Sequence, residues 1–572
     1  MEWHSSSSDD WWRGAAIYQV YPRSFLDTNG DGIGDLIGIT EKLGYIAWLG
    51  VDVVWISPFY ASPMKDFGYD VADYKRVDPI FGKDEDFVAL VKKADELGLK
   101  VMVDMVLSHT SDIHSWFRQS RASRDNPMSN WYVWVDPQPD GTPPNNWLSI
   151  FGGSAWEWDT HRQQFYLHNF LAAQPDLNFH HPQVVEAILD VVEFWLRLGV
   201  KGIRLDTANW YFHDQALRNN PPNKGELLKY APASSNYVMQ DHIYNKSRPE
   251  VLPFLERLRE LLDSYDAISL GELTAKRAVE MTADYTQSGR RLHMVYTFGL
   301  LTQTFSAAHF RQTIREVEAN LGSGWVCWAF SNHDVVRAVS RWRREGVTVT
   351  QQAKFLLALL LALRGAVCLY QGEELGLSEA ELEYEDLKDP YGIRLWPEFK
   401  GRDGCRTPMP WELSAVNGGF STAQPWLPLP SAHLTQAVDV QQVDAASVLN
   451  FCRLLLQWRK SLPAVLFGSI RLLESADTLL AFERCYQGQT VLAVFNFGMA
   501  PAELDCRAYG GKDFIDERGL DKRSLDKRGL DKRGLDKKCL RPFEMAGFDY
   551  RYERAVLTLP AFSMFLAEAM SC

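Results

Sequence analysis

The sequence predicts an α/β fold built as a (β/α)8 barrel, and three observations carry that reading. Eight strand-like runs recur: AIYQVY (16–21), VDVVWIS (51–57), VMVDMVL (101–107), GIRLD (202–206), AISLGE (267–272), MVYTF (294–298), WVCWAF (325–330) and AVCLYQ (366–371). They are mostly apolar on both faces, as parallel strands covered by helices are. Helix-like stretches separate them, and carboxylates sit where runs end: Asp206 closes GIRLD, Glu272 closes AISLGE, and Asp334 closes WVCWAFSNHD (325–334). Acidic side chains are costly at the edge of an apolar core unless something uses them, and a barrel of this kind carries its active site at the C-terminal strand ends.

The intervening helices are legible in EDFVALVKKADELG (85–98), where Phe87, Leu90, Val91, Ala94 and Leu97 recur at 3–4 spacing and Gly98 provides a stop. The stretch around the third run, KVMVDMVLSH (100–109), delivers Asp104 and His109. Two connections are too long for plain loops. Residues 110–180, rich in Trp, Pro, Asn and Gly, predict a lobe inserted over the barrel mouth, and residues 375–450 predict a lid. From about residue 487 the pattern changes, and TVLAVFNFG (490–498) and AVLTLPAFSMFLAEA (555–569) read as antiparallel strands. The expected division is a barrel at 1–109 and 181–486, a lobe at 110–180 and a C-terminal β-domain at 487–572. Within that last domain a five-residue charged repeat, 518–538, matches neither helical nor strand period and reads as a solvated loop.

The bulk numbers narrow the partners. A net charge of −13 over 572 residues argues against nucleic acid. The N-terminus has no basic start or apolar stretch of the signal-peptide kind. The longest apolar run, FLLALLLAL (355–363), is followed by Arg364 and is too short to span a bilayer, so no membrane partner is expected. The eight cysteines begin at Cys327 and form no Cys-x-x-Cys pair, so neither a zinc nor a disulfide framework is indicated. A cytoplasmic protein in a reducing compartment is expected. The 20 Trp, 22 Tyr and 30 Phe suit either a large core or the aromatic platforms of a sugar cleft.

Among catalytic signatures, no Gly-x-Ser-x-Gly elbow, His-Glu-x-x-His helix or phosphate loop is present. Ser108 and His109 are adjacent, so along a strand they point to opposite faces. What remains is paired-carboxylate chemistry, which suits cleavage of a glycosidic bond. Separately, Asp27, Asn29, Asp31, the Ile33 carbonyl and Asp35 take positions 1, 3, 5, 7 and 9 of a Ca2+-type oxygen loop, with Gly38 in place of the bidentate Glu at position 12. A structural divalent cation, Ca2+ rather than Mg2+, is expected there.

Ten segments in order resemble glycoside hydrolase family 13, the α-amylase family, in its α-glucosidase and oligo-1,6-glucosidase branch: IYQVYPRSF (17–25), DTNGDGIGDLIGI (27–39), FGYDVADY (67–74), DMVLSHTSD (104–112), QPDLNF (174–179), GIRLDTAN (202–209), GEL (271–273), FSNHD (330–334), YQGEELG (370–376) and GRDGCRTPMPW (401–411). The resemblance implies Asp206 as nucleophile, Glu272 as general acid/base and Asp334 as the third carboxylate. It implies a glucose pocket of Asp66, Tyr69, His109, Arg204, Thr207, His333 and Arg402, with Tyr69 stacking on the ring, the histidines donating to hydroxyls, and Arg402 closing the pocket with Asp66. Arg204, two residues before Asp206, would keep it charged, with Asp104 behind Arg204. The implied activity is retaining, exo-acting hydrolysis of short α-glucosides. Transglucosylation, α-1,6 cleavage and sucrose hydrolysis remain alternatives with the same residues. A non-catalytic role like that of transporter heavy chains is disfavoured by the complete carboxylate set. Two departures matter. Ser108 stands where the family usually has Asn, which puts a second calcium site in doubt. Thr207 stands where α-1,6-cleaving members usually have Val, which favours α-1,4 linkages.

Overall fold

A computed structural model describes residues 8–225, 232–507, 538–544, 547–553 and 555–571. Eight parallel strands form one sheet: β1 (Ala16–Val20), β2 (Val53–Ile56), β3 (Lys100–Met105), β4 (Gly202–Leu205), β5 (Ile268–Leu273), β6 (Met294–Thr297), β7 (Cys327–Ala329) and β8 (Ala366–Tyr370). Their order is β6-β5-β4-β3-β2-β1-β8-β7, and a parallel bridge between Val295 and Val326 closes the ring. All eight expected runs are strands. Most are shorter than the apolar pattern, because their last residues leave the ladder to start the loops that build the site.

The barrel interior is packed with Ile17, Val53, Trp55, Met102, Ile268 and Met294, as barrels filled by side-chain layers require. A second core lies between strands and outer helices. Helix Asp84–Glu96 turns Phe87, Leu90 and Ala94 into it, and the chain reverses at Gly98, whose φ of +73° favours glycine. The FLLALLLAL run lies in helix Val349–Ala362, buried from Gln352 onward. Its two buried polar side chains find carbonyls: Gln352 donates to Trp342 at 2.5 Å and Lys354 to Ala446 at 2.7 Å. Among the described residues no helix is long and apolar enough to cross a membrane.

Between β3 and β4 the chain forms helix Ser115–Ala122 and a three-stranded antiparallel sheet, Trp134–Val135, Gln164–Leu167 and Trp156–Asp159. This insert has its own core of Val133, Trp147, Trp156, Phe165 and Leu167, so several of the abundant aromatics serve packing. It returns to the barrel through the Leu177 N–H, which donates to the Ser108 carbonyl at 3.0 Å. A further long excursion, 207–250, follows β4 before helix Val251–Asp263. Its sequence has no hydrophobic period to mark it as a separate element.

The C-terminal region holds a five-stranded antiparallel sheet in the order Ser469–Leu472, Leu479–Tyr486, Gln489–Asn496, Ser563–Ser571, Lys538–Pro542. The two expected strand regions pair with each other from Thr490↔Ala569 to Asn496↔Ser563. The sheet begins at Ser469, upstream of the boundary read at 487. A short apolar run such as LLAFERCY (479–486) does not by itself distinguish strand from helix. The repeat at 518–538 lies outside the described residues, apart from Lys538.

Candidate active site

A cavity of about 790 Å³ opens at the C-terminal strand ends. Asp206, Glu272 and Asp334 all line it, so residues spread over 129 positions of sequence (206 to 334, inclusive) meet at one hollow. Asp206 is the first residue past β4, Glu272 lies within β5, and Asp334 is on the loop after β7. Asp66, Tyr69, His109, Thr207 and Arg402 line the same cavity.

Arg204 is placed differently from the expectation that it binds substrate. It is fully buried and is not part of the cavity wall. Its Nη1 donates to Asp104 and to Asp206, each at 2.7 Å, and its Nη2 donates to Glu272 at 2.6 Å and to the Tyr296 hydroxyl at 2.7 Å. Two residues back from Asp206 on the same strand face, it sits one layer deeper in the barrel, where both of its Nη groups are spent on protein acceptors and its buried Nε has no partner among the described residues. Asp104 is its partner, as expected.

Thr207 ties the two carboxylates a second time. Its backbone N–H donates to Glu272 Oε2 and its hydroxyl to Asp206 Oδ2, both at 3.2 Å. Its φ of +43° is rare for a β-branched residue and is the kind of backbone strain held at functional sites.

One guanidinium thus faces three buried carboxylates, Asp104, Asp206 and Glu272. Such a group retains protons. Burial, helped by Asp206 and opposed by Arg204, pushes the Glu272 carboxyl up to about 8 and that of Asp104 up to about 7. Asp334 goes the other way. Burial works to raise it, but His333, Arg402 and Arg406 beside it together outweigh burial and hold it well below the usual carboxylate range. Arg406 donates to Asp334 at 2.9 Å, and Arg402 does so at 3.2 Å.

Asp66 and Arg402 pair on the cavity lining, with Arg402 Nη2 donating to Asp66 at 2.8 Å. Burial raises the Asp66 carboxyl against the pull of Arg402. Gln174 donates to Asp66 at 3.1 Å. The Tyr69 ring stacks on His333 with centroids 5.3 Å apart, and its hydroxyl donates to Asp104 at 3.0 Å. Burial drops His333 to about 3, which leaves it neutral. Its Nδ1 accepts from Gln19 at 2.7 Å and its Nε2 donates to the Tyr69 hydroxyl at 2.6 Å. His333 therefore stands behind the wall, not on the cavity lining. His109 does line the cavity, with Nδ1 accepting from Ser108 at 2.8 Å and Nε2 donating to the Tyr69 carbonyl at 2.9 Å.

Residues that sequence reasoning did not single out are Gln19, Gln174, Tyr296, Asp389 and Arg406. Gln19, Gln174 and Arg406 lie inside segments quoted above and Tyr296 inside the sixth strand run, so their signal was present but unassigned. Asp389 lies in none of them.

The loop Asp27–Asp35 is folded by its own side chains. Asp27 accepts the N–H of Asn29, Gly30 and Gly32 at 3.0, 2.7 and 2.8 Å, and the Ser421 hydroxyl at 2.5 Å. Asn29 accepts from Asp31 N–H at 2.9 Å, and Asp31 from Ile33 N–H at 2.8 Å. Asp35 caps helix Leu36–Leu49 through the Gly38 N–H at 2.7 Å. The all-oxygen donor set has the chemistry of a hard-cation site, yet its carboxylates are turned onto backbone N–H groups. Among the described residues no three His, Cys, Asp or Glu side chains gather as a metal-holding group.

A closed parallel barrel with three carboxylates from β4, β5 and the β7 loop around one cavity defines a carboxylate-based barrel enzyme. The chain belongs to the α-amylase family, glycoside hydrolase family 13: residues 19–468 match the family description "Alpha amylase, catalytic domain", and residues 470–523 match "Maltogenic Amylase, C-terminal domain". It is similar to a probable alpha-glucosidase of Rhizobium meliloti (strain 1021), 57% identical over 85% of this chain and 89% of that one. It is also similar to an oligo-1,6-glucosidase of Heyndrickxia coagulans, 37% identical over 81% of this chain and 88% of that one. The crystal structure of an alpha-glucosyl transfer enzyme superposes with a TM-score of 0.90 at 51% identity, covering 98% of this chain and 99% of that chain.

Proposed function

We propose that this protein is a retaining, exo-acting α-glucosidase that removes a terminal α-linked glucose, preferentially α-1,4-linked, from short saccharides. The observation that carries the reading is the shared guanidinium of Arg204, bonded to Asp206 through Nη1 and to Glu272 through Nη2. Of the carboxylates on that fork, these two line the cavity, and the shared grip sets them to act on one bond. In the first step Asp206 attacks the anomeric carbon, the glycosidic bond breaks, and the Glu272 proton passes to the leaving oxygen. In the second step Glu272 takes a proton from water, and the hydroxide displaces Asp206 to release glucose with its configuration retained. Asp334, flanked by Arg402 and Arg406, holds ring hydroxyls and stabilises the oxocarbenium-like transition state. Asp66 and Arg402 block the far end of the pocket, which limits cleavage to the last sugar. Tyr69 and His109 complete the wall around the ring, with His333 backing Tyr69.

The test is product analysis by NMR with maltose, isomaltose and sucrose. Release of α-glucose first, fastest from maltose, is the expected result. β-Glucose as first product would refute the retaining mechanism. Capture of the same intermediate by a sugar or alcohol is the second reading, supported by the likeness to a glucosyl transfer enzyme. Linkages formed at high acceptor concentration measure it.

For the loop 27–35 we propose a structural divalent cation, Ca2+ before Mg2+, held by Asp27, Asn29, Asp31, the Ile33 carbonyl and Asp35. The support is the alternating oxygen-donor pattern. Adding Ca2+ to chelator-treated protein should raise Tm, and Asp31→Ala should remove that rise. A Tm indifferent to Ca2+ and chelator retires the site. We also place the protein in the cytoplasm, since its six described cysteines are free thiols; cell fractionation tests this.

A further inference from the structure

Arg402 is held by more than its cavity partners. Asp389, on the long connection after β8, is fully buried. It accepts from Arg402 Nε at 3.0 Å through Oδ2 and from Arg402 Nη2 at 2.8 Å through Oδ1. Its Oδ2 also accepts the Arg402 backbone N–H at 2.8 Å. This is the paired geometry in which a carboxylate fixes the plane of a guanidinium. Although burial works to raise it, Arg402 and Arg406 hold the Asp389 carboxyl below its ordinary range.

A guanidinium carries five N–H donors. Asp389 takes one from Nε and one from Nη2, Asp66 takes one from Nη2, and Asp334 takes one from Nη1. The donor left over is on Nη1, the edge that Asp389 does not cover, beside Asp334. Arg402 lines the cavity, and its side chain retains 11% of its exposure.

We propose that Asp389 is a positioning residue: it clamps Arg402 by the Nε–Nη2 edge so that the Nη1 edge is presented to the hydroxyls of the sugar ring. Without the clamp, Arg402 is free to turn toward Asp66 and Asp334, its two other acid partners, and the ring loses a fixed donor. Asp389 touches no substrate and acts only through Arg402. The inference rests on the glucosidase reading for its ligand, and on the geometry alone for its mechanism.

Asp389 also caps the helix Pro390–Leu395 through the Tyr391 N–H, at 3.1 Å. Asn is as good a cap as Asp, so Asp389→Asn keeps that bond while setting an amide N–H2 against an arginine donor. The experiment compares Asp389→Asn, Arg402→Lys and the double variant. Its readouts are the Kd of 1-deoxynojirimycin, a glucose-shaped amine, together with KM and kcat on p-nitrophenyl α-glucoside and the thermal midpoint of each protein. Asp389→Asn is expected to weaken the inhibitor about tenfold and raise KM by a similar factor, and the double variant is expected to be no worse than Arg402→Lys, since residues acting as a unit are non-additive. An unchanged Kd with a lowered Tm makes Asp389 a helix cap only and overturns the proposal. So do losses that add in the double variant. A native protein that binds the inhibitor but leaves the glucoside intact refutes the glucosidase reading, while the inhibitor Kd values still decide the role of Asp389.

Discussion

Arg204 donates to Asp206 at 2.7 Å and to Glu272 at 2.6 Å from the two arms of one guanidinium. The two carboxylates proposed to do opposite jobs are thereby held to a common frame, and burial raises the pKa of Glu272. Lysine offers a point charge that cannot span both. Arg204→Lys should therefore lower kcat by roughly 10³-fold, with KM changed far less, because what is lost is the geometry of the reacting groups. Steady-state kinetics on p-nitrophenyl α-glucoside checks this, and a variant within about tenfold of native kcat contradicts the shared-frame account.

Asp206→Ala should reduce turnover by about 10⁴-fold or more while leaving the fold intact. Azide can enter the space left by the carboxylate and attack the same face. From an activated α-glucoside the rescued product should be β-glucosyl azide, identified by NMR. Near-normal rates without azide would remove Asp206 from the nucleophile role.

Glu272 must carry its proton to start the reaction, and its carboxyl is pushed up to about 8. Activity on substrates with poor leaving groups should fall as pH rises through about 8. The same shift makes stability depend on pH. The folded-state value is raised, so the stabilising contribution is full below the ordinary carboxylate range and is lost as pH rises through about 8. Glu272→Gln needs no proton, and its side-chain oxygen can still accept from Arg204 and from Thr207 N–H. Its Tm advantage over the native protein should grow between neutral pH and about 9. A Tm difference that stays flat over that window contradicts the raised value.

Thr207 gives its N–H to Glu272 and its hydroxyl to Asp206. Thr207→Val keeps the first bond and the β-branched shape but deletes the second. The ratio of kcat/KM for maltose to that for isomaltose should fall by about tenfold, the scale of one small pocket contact. An unchanged ratio means that linkage preference is set elsewhere.

The legible part of the site is instructive. Asp206, Glu272 and Asp334 were readable because each follows an apolar run, where an acid stands out against its neighbours. Asp66 and Arg402, 336 positions apart, could be paired only through the family resemblance, since no local pattern relates them. Asp389 had neither signal: it lies between PYGIRLWPEF and an irregular polar stretch, and its partner is known only from contact.

By itself the sequence determined the eight-stranded parallel barrel, the end of the barrel that bears the acids and the family to which the chain belongs. Those properties follow from short-range periodicity and from motifs in fixed order. The tertiary structure decided that Arg204 serves the carboxylates rather than the sugar, that His333 stands behind Tyr69, that the C-terminal sheet begins at Ser469 and that Asp389 holds Arg402. Each of these depends on which donor reaches which acceptor across long stretches of chain, and that is settled by packing and burial, which no local pattern encodes.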